Sequence, residues 1–361
     1  MADRLETYRK KRDAARTPEP VPKRKRRSAK GDGDIFVIQQ HHARRLHWDF
    51  RLERDGVLVS WAIPKGIPRD PERNHLAVHT EDHPMEYAGF TGEIPEGEYG
   101  AGTVKLHDRG TYVTEKWRDN EVMVTLDGKR TSGRYVLFRT RGDDWMIHRM
   151  DPPDAGWEPM PELLQPMRAT RGSLPDEAER WAYEMRWDGL RAIAYVSGGR
   201  LVLRDDADAD VTGRYPELRE LAEALAPVEG VLDGEIVAFR GGSLSADALA
   251  ARSEESDPVR ARRRAGRNPV TYLVYDLLYV DGESLLGLDY AERRGRLDDL
   301  DIAGDRWQVP PSFPEDGEAA MAASQEQGLS GVVAKCLDSP YRPGKRTRDW
   351  LDVRHKKQRR A

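Results

Sequence analysis

The stretch from Met150 to Pro166 limits the possible folds of this chain more than any other. Pro152, Pro153, Pro159, Pro161 and Pro166 fall within it. Each proline lacks a backbone N–H and fixes φ, so neither a helix interior nor a central strand can run through. The chain must organise itself on either side, and its 361 residues exceed what one hydrophobic core usually serves. A second interruption, Pro18 to Gly33, is rich in proline and basic residues. The expected organisation is a basic, partly flexible arm at 1–33, a β-barrel domain at 34–155 and a further domain at 161–361.

Between the interruptions lie short runs with strand character: Ile35 to Gln40, Val57 to Ile63, His75 to Thr80, Thr103 to His107, Glu121 to Leu126 and Tyr135 to Thr140. Asp55-Gly56 and Asp127-Gly128 are candidate hairpin turns. Many short strands with few helical stretches predict a mostly-β antiparallel barrel. The second half mixes strand-like runs with a helix-like one from Pro216 to Ala226, where Leu218, Leu221, Ala222 and Leu225 share a stripe. That half is expected to be α+β, without a doubly wound nucleotide-binding sheet.

Residues 1–30 hold 12 Lys+Arg against 4 Asp+Glu, leaving 47 against 59 in the rest. Lys23-Arg24-Lys25-Arg26-Arg27 suits either a phosphate backbone or a solvated linker. No apolar run approaches the roughly 20 residues of a membrane span, so a cytoplasmic, nucleoid-associated protein without a membrane partner is expected. The lone Cys336 excludes an internal disulfide and a cysteine-rich zinc site, leaving His and carboxylate groups as metal donors.

The densest chemistry lies in Gln40-His41-His42-Ala43-Arg44-Arg45-Leu46-His47-Trp48-Asp49-Phe50-Arg51. If Leu46 to Leu52 is a strand, His47, Asp49 and Arg51 share one face, and Leu46, Trp48, Phe50 and Leu52 the other. Two imidazoles and a carboxylate leave coordination positions open, as a catalytic divalent site requires. Arg51 beside them suits a phosphate oxygen. Downstream, His83 and Tyr87 follow a strand, and a cationic His83 would stabilise charge on a phosphoryl group. Taken singly, each of these residues is better explained as an ordinary polar group at the protein surface.

Four segments, Gln40 to Glu53, Ser60 to Gly66, Glu81 to Pro84 and Gly92 to Gly102, closely resemble the 3′-phosphoesterase module of bacterial DNA ligase D. The match extends into Arg9 to Asp13 and Thr17 to Pro20. The resemblance implies that His41, His47 and Asp49 bind manganese or another divalent metal, and that Arg51, His83 and Tyr87 engage the scissile phosphate. It also brings in Arg12, Asp13, Glu19, Lys65 and Glu81. The implied activity removes a 3′-ribonucleoside and then a 3′-phosphate from DNA ends at primer-template junctions, in nonhomologous end joining. The implied partners are Ku and a separate polymerase or ligase.

In the second half, Glu184-Met185-Arg186-Trp187-Asp188-Gly189-Leu190-Arg191 resembles the nucleotidyltransferase motif K-x-D-G-x-R of ATP-dependent DNA ligases. Arg186 stands where the lysine that accepts AMP belongs. Deprotonation near neutral pH costs a lysine about 4 kcal/mol and an arginine about 7 to 9. That is a handicap on the order of a thousandfold before nucleophilicity is considered. Glu235 and Tyr275 to Tyr279 keep family motifs. Arg204 to Asp208 places acids where the family approaches nucleotide or DNA. Ser330 stands in place of an expected Glu, Lys335 is kept, and Asp352 and Arg354 replace two lysines. The chain ends where the family's OB-fold begins, so the domain is expected without it, inactive, and with no use for ATP. Two readings compete with this end-healing enzyme: an active ligase using another lysine, and a non-catalytic DNA-end scaffold, for which Arg260 to Arg267 and Arg354 to Arg360 are candidate surfaces.

Overall fold

The computed structural model describes residues 3–22 and 34–356. The chain divides into two compact units, Met1–Ala155 and Gly156–Ala361. The basic run at 23–27 and the tail beyond 356 lie outside the described residues. Among the described residues, no helix is long and apolar enough to cross a membrane.

The first unit is a closed barrel of eight antiparallel strands: β1 (Ile35–His42), β2 (Leu46–Arg54), β3 (Val57–Ile63), β4 (His75–His79), β5 (Gly102–Arg118), β6 (Glu121–Gly128), β7 (Ser132–Arg141) and β8 (Asp144–Arg149). They run in the order β1-β2-β3-β4-β8-β7-β6-β5, and β5 pairs back onto β1. At 17 residues, β5 is long enough to pair with β1 along its first part and β6 along its second. Its polar middle hides that length in the sequence, where only Thr103 to His107 stands out. The strand β8 follows the turn at Gly142-Asp143, and Trp145 and Ile147 alternate into the core.

The β2–β3 turn lies at Asp55-Gly56, with φ of 53° and 76°, the left-handed pair that a two-residue hairpin requires. Asp127-Gly128 is not a turn. Gly128, still within β6, pairs with Gly110 of β5, and the reversal falls on Lys129-Arg130. The Asp108 carboxylate accepts the N–H groups of Lys129, Arg130 and Thr131 at 3.2, 3.0 and 2.7 Å, fixing the bend without left-handed glycine. Glycine is needed at 128 for space, since a Cβ would lie 2.5 Å from the Phe36 ring and 2.7 Å from Asp108.

On β1–β3, one face carries Phe36, Phe50 and Trp61 in successive ring contacts of 6.4 and 6.3 Å. The opposite face carries Gln39, His41, His47, Asp49, Arg51 and Ser60, aligned by the pairs Gln39↔Asp49, His41↔His47 and Arg51↔Ser60. Tyr8 of the N-terminal segment and Tyr87 pack with Leu58 over this polar face. Arg51 is consequently only 2% exposed.

In the second unit, β9 (Arg168–Gly172), β10 (Trp181–Met185), β15 (Gly331–Cys336) and β16 (Arg346–Arg354) belong to one sheet. The other contains β11 (Leu190–Ser197), β12 (Arg200–Asp205), β13 (Gly230–Arg240) and β14 (Val270–Val280). Ile193, Tyr195 and Leu278 from the second sheet bury against Trp350 from the first. Helices cover the other face of the larger sheet. The stripe read from sequence is there, split between a 3₁₀ turn Pro216–Arg219 and a helix Glu220–Leu225, and Leu218, Leu221, Ala222 and Leu225 are all in the core.

Candidate active site

The ends of β1 and β2 bring His41 and His47 directly opposite each other, with ring centroids 4.7 Å apart. Asp49 follows His47 by two residues, on the same face. His41 Nε2–H donates to the Gly100 carbonyl at 2.8 Å, and His47 Nδ1–H donates to the Arg45 carbonyl at 3.0 Å. Each bond fixes a tautomer. The remaining nitrogens, His41 Nδ1 and His47 Nε2, face the same carboxylate, 3.5 and 3.7 Å from Asp49. All the candidate ligand atoms lie within 4.8 Å of one another. Donors about 2.1 Å from an ion stand at most about 4.2 Å apart, so a sub-ångström contraction would complete a shared site. Burial pushes the Asp49 carboxyl up, but Arg51 and the two histidines outweigh it and hold it well below the usual carboxylate range.

Arg51 forms the next layer. Its Nη2 lies 3.0 Å from Asp49, Nε donates to Gln39 Oε1 at 2.9 Å and Nη1 donates to Ser60 Oγ at 2.8 Å. The guanidinium sits 4.8 Å from the centre of the Tyr87 ring. Gln39 is itself held, donating to the carbonyls of Tyr87 and Phe90 at 3.1 and 2.8 Å.

His83 packs edge-on against Tyr87 and Tyr8, with centroids 4.8 and 4.9 Å away. Burial, then Arg51 and Arg12, push its pKa well below the ordinary histidine value. Its Nδ1–H donates to the Glu81 carbonyl at 2.8 Å, leaving Nε2 as the acceptor, 3.4 Å from Arg12 Nη2. The imidazole is thus neutral. Burial and the two neighbouring guanidinium groups disfavour the cationic form of His83 considered from sequence.

Arg12 comes from the N-terminal segment. It is clamped between Glu19, 2.8 Å from Nε, and Glu81, 3.0 Å from Nη1, while its guanidinium covers the Tyr8 ring at 3.9 Å. Lys11 adds a 2.9 Å pair to Glu81 and a 3.0 Å bond to the Tyr99 hydroxyl. Hydrogen bonds from Lys11 and Arg12 outweigh burial and lower the Glu81 pKa. Two residues singled out from sequence stand apart. Asp13 is exposed and shapes its own turn, accepting the Ala15 N–H at 3.0 Å. Lys65 is exposed on the loop after β3, where its charge bears on His75.

In the second unit, a cleft of about 400 Å³ is lined by Arg186, Asp188, Arg191, Glu235, Lys335, Asp352 and Arg354 among others. Arg186 binds Asp188, donates to Ser330 Oγ at 2.6 Å and places Nε 3.2 Å from Asp352. Glu235 accepts the Gly189 N–H and the Tyr275 hydroxyl, the latter at 2.6 Å. Arg191 makes twin bonds to Asp233 at 2.7 and 2.5 Å. The Lys335 amine lies 2.9 Å from Glu184 and 4.4 Å from the centre of the Trp350 ring, and burial lowers its pKa against the pull of Glu184. Arg354 folds onto Asp352 at 2.7 Å. Of the acids in Arg204 to Asp208, Asp206 lines the cleft, whereas Asp205 accepts the N–H groups of Ala207 and Ala209.

Comparison with known families agrees with both halves. The model for the DNA Ligase D 3′-phosphoesterase domain matches residues 39–139, and that for the ATP dependent DNA ligase domain matches residues 161–354. The chain belongs to the DNA ligase D family. It is 48% identical over 360 residues to the multifunctional non-homologous end joining protein LigD of Mycobacterium bovis, covering 98% of this chain and 46% of that protein. The LigD of Pseudomonas aeruginosa is 34% identical over 406 residues, covering 97% and 47%. The chain therefore spans about half the length of these curated relatives. The solved ligase domain of Mycobacterium tuberculosis LigD is 37% identical, covers 53% of this chain and 59% of that one, and has a TM-score of 0.47.

For this DNA ligase D relative, sequence reasoning passed over Gln39, Ser60, Tyr8 and Gly100. Gln39 was accessible in principle, because it shares the period-two face of His41 on β1. Gly100 acts through its carbonyl, which no side-chain pattern reveals.

Proposed function

We propose that the first unit is a metal-dependent phosphoesterase acting at DNA 3′ ends. It would remove a terminal ribonucleoside and then the 3′-phosphate at a primer-template junction. The observation carrying this reading is the convergence of His41, His47 and Asp49 on one point, with the Arg51 guanidinium hydrogen-bonded to the same Asp49. His41 Nδ1, His47 Nε2 and an Asp49 oxygen would hold the ion, which when bound supplies Lewis acidity toward a phosphoryl oxygen and its attacking water. Manganese is the ion we assign. Arg51 and Arg12 offset the charge that develops on the phosphoryl oxygens, and Tyr87 keeps the Arg51 plane fixed. His83, neutral, turns Nε2 toward the Arg12 guanidinium and holds it on the phosphate side of the site. Glu19 and Glu81 orient Arg12. Asp13 and Lys65, outside this constellation, belong to the rim.

The second unit in this reading no longer forms an enzyme-adenylate. Arg186 occupies the nucleophile's position with its guanidinium engaged by Asp188, Ser330 and Asp352. Lys335, a lysine lining the same cleft, is tied to Glu184. The setting is double-strand break repair by nonhomologous end joining, with Ku and a separate polymerase or ligase as partners.

A primer-template ending in a 3′-ribonucleotide or 3′-phosphate, incubated with manganese, is the test. The wild-type chain should leave a 3′-hydroxyl, and His47→Ala should leave the end untouched. A folded, manganese-supplied wild-type protein inert on both ends would remove the proposal.

A further inference from the structure

The helix Pro258–Arg267 of the second unit is capped by Asp257, whose side chain accepts the Arg260 N–H, and packs inward through the fully buried Ala261. Its arginines divide into two kinds. Arg264 turns back to the fold, with Nη2 3.2 Å from Glu255. Arg260, Arg262, Arg263 and Arg267 are exposed, and none of them forms an ion pair among the described residues. Arg260, Arg263 and Arg267 stand at i, i+3 and i+7, so they form one stripe. Like charges at that spacing repel and weaken a helix. The stripe has no internal compensation, in a chain that carries 47 Lys+Arg against 59 Asp+Glu beyond residue 30.

A second observation lies beside it. Gly266 is within the same helix and exposed, three residues from Arg263. A Cβ there would meet nothing within 4 Å. Neither packing nor backbone conformation requires glycine, although glycine weakens a helix relative to alanine. Its absent side chain does leave the helix backbone open to close approach from outside, flanked by the arginines and by Val259, which is 75% exposed. Small residues serve this purpose where one backbone must approach another chain.

We infer that the exposed face of this helix, Arg260, Arg263, Gly266 and Arg267, is a docking surface for the phosphate backbone of duplex DNA. Over seven residues the stripe is about 10 Å long, the rise of about three nucleotides along one strand. Guanidinium groups bind phosphate oxygens through paired N–H donors, and Gly266 lets the strand lie close to the helix. The surface shares no residue with the phosphoesterase cluster or with the Arg186 cleft, and it stands whether or not the 3′-end chemistry proposed above is correct.

The test is fluorescence anisotropy of the full chain with a blunt duplex bearing 3′-hydroxyl ends, titrated between 50 and 200 mM salt. No turnover is involved, so its outcome is independent of the phosphoesterase assay. With about 0.9 counterions released per contact, the combined Arg260→Ala, Arg263→Ala and Arg267→Ala variant should lower the magnitude of the salt slope by about 2.7. That makes the affinity loss over this salt range about 40-fold smaller than for wild type. The corresponding triple lysine variant should keep most of the slope. Gly266→Leu, at an exposed position where a Cβ meets nothing within 4 Å, should keep the wild-type circular dichroism and melt no lower than wild type, but bind duplex several-fold more weakly. An alanine variant with unchanged slope and affinity overturns the inference. So does one that loses retention on a polyglutamate matrix while keeping the DNA slope, which would make an acidic polypeptide the partner.

Discussion

Arg51→Lys keeps the charge beside Asp49 and removes the geometry. In the structure the guanidinium reaches three partners at once: Asp49 at 3.0 Å, Gln39 Oε1 at 2.9 Å and Ser60 Oγ at 2.8 Å. An ammonium group pointed at Asp49 abandons Gln39, whose acceptor lies in a fully buried side chain. An unsatisfied buried acceptor costs about 1–3 kcal/mol, and loss of the cation–π contact with Tyr87 adds about 0.5–1 kcal/mol. Together they lower stability by about 2–4 kcal/mol. Ser60 is less affected, because its hydroxyl donates to the Leu58 carbonyl at 2.9 Å in any case. Activity should fall further than stability accounts for. Removing one donor aimed at developing oxyanion charge typically costs about 100- to 1000-fold, so kcat/KM on a 3′-phosphate primer should drop by that range while the protein still binds manganese. Urea denaturation and single-turnover assays at temperatures where both proteins are folded separate the two effects. A lysine variant within threefold of wild type would refute the role given to the guanidinium plane.

Incubated with labelled ATP and magnesium or manganese, the chain should form no stable protein-AMP adduct by gel autoradiography. Adduct formation lost on Lys335→Ala would establish an active ligase that uses the lysine of the cleft. Acid should loosen the N-terminal segment: Lys11 and Arg12 lower the Glu81 pKa, so this pairing stabilises the fold above the unfolded glutamate value of about 4.3 and is lost as pH falls through the lower folded value. Urea midpoints measured from pH 6 to pH 3 should decline less steeply in Glu81→Gln, and an identical decline would contradict the assignment.

The metal-site candidates were legible because strand periodicity places His47, Asp49 and Arg51 on one face before any coordinates are considered. Their surroundings were not. Gln39 and Ser60 hold Arg51 through an amide and a hydroxyl, groups common on any strand. The N-terminal charges read from composition as a DNA-binding or solvated arm. Only packing shows Arg12 fixed between Glu19 and Glu81, over Tyr8. Asp127-Gly128 has the composition of a turn, but Asp108, nearly twenty residues earlier, moved the bend by collecting three N–H groups. Long-range hydrogen bonding overrode a local preference. Arg186 shows the reverse: its anomaly is visible in one motif, and the structure adds that Asp188, Ser330 and Asp352 already engage it.

The most direct measurement is a manganese titration of the full chain, following the electron paramagnetic resonance signal of the free ion. Wild type should remove one equivalent per chain, and His41→Ala and His47→Ala, each with native circular dichroism, should remove none at the same concentrations. Equal stoichiometry and affinity in all three proteins would contradict a shared site on these strands.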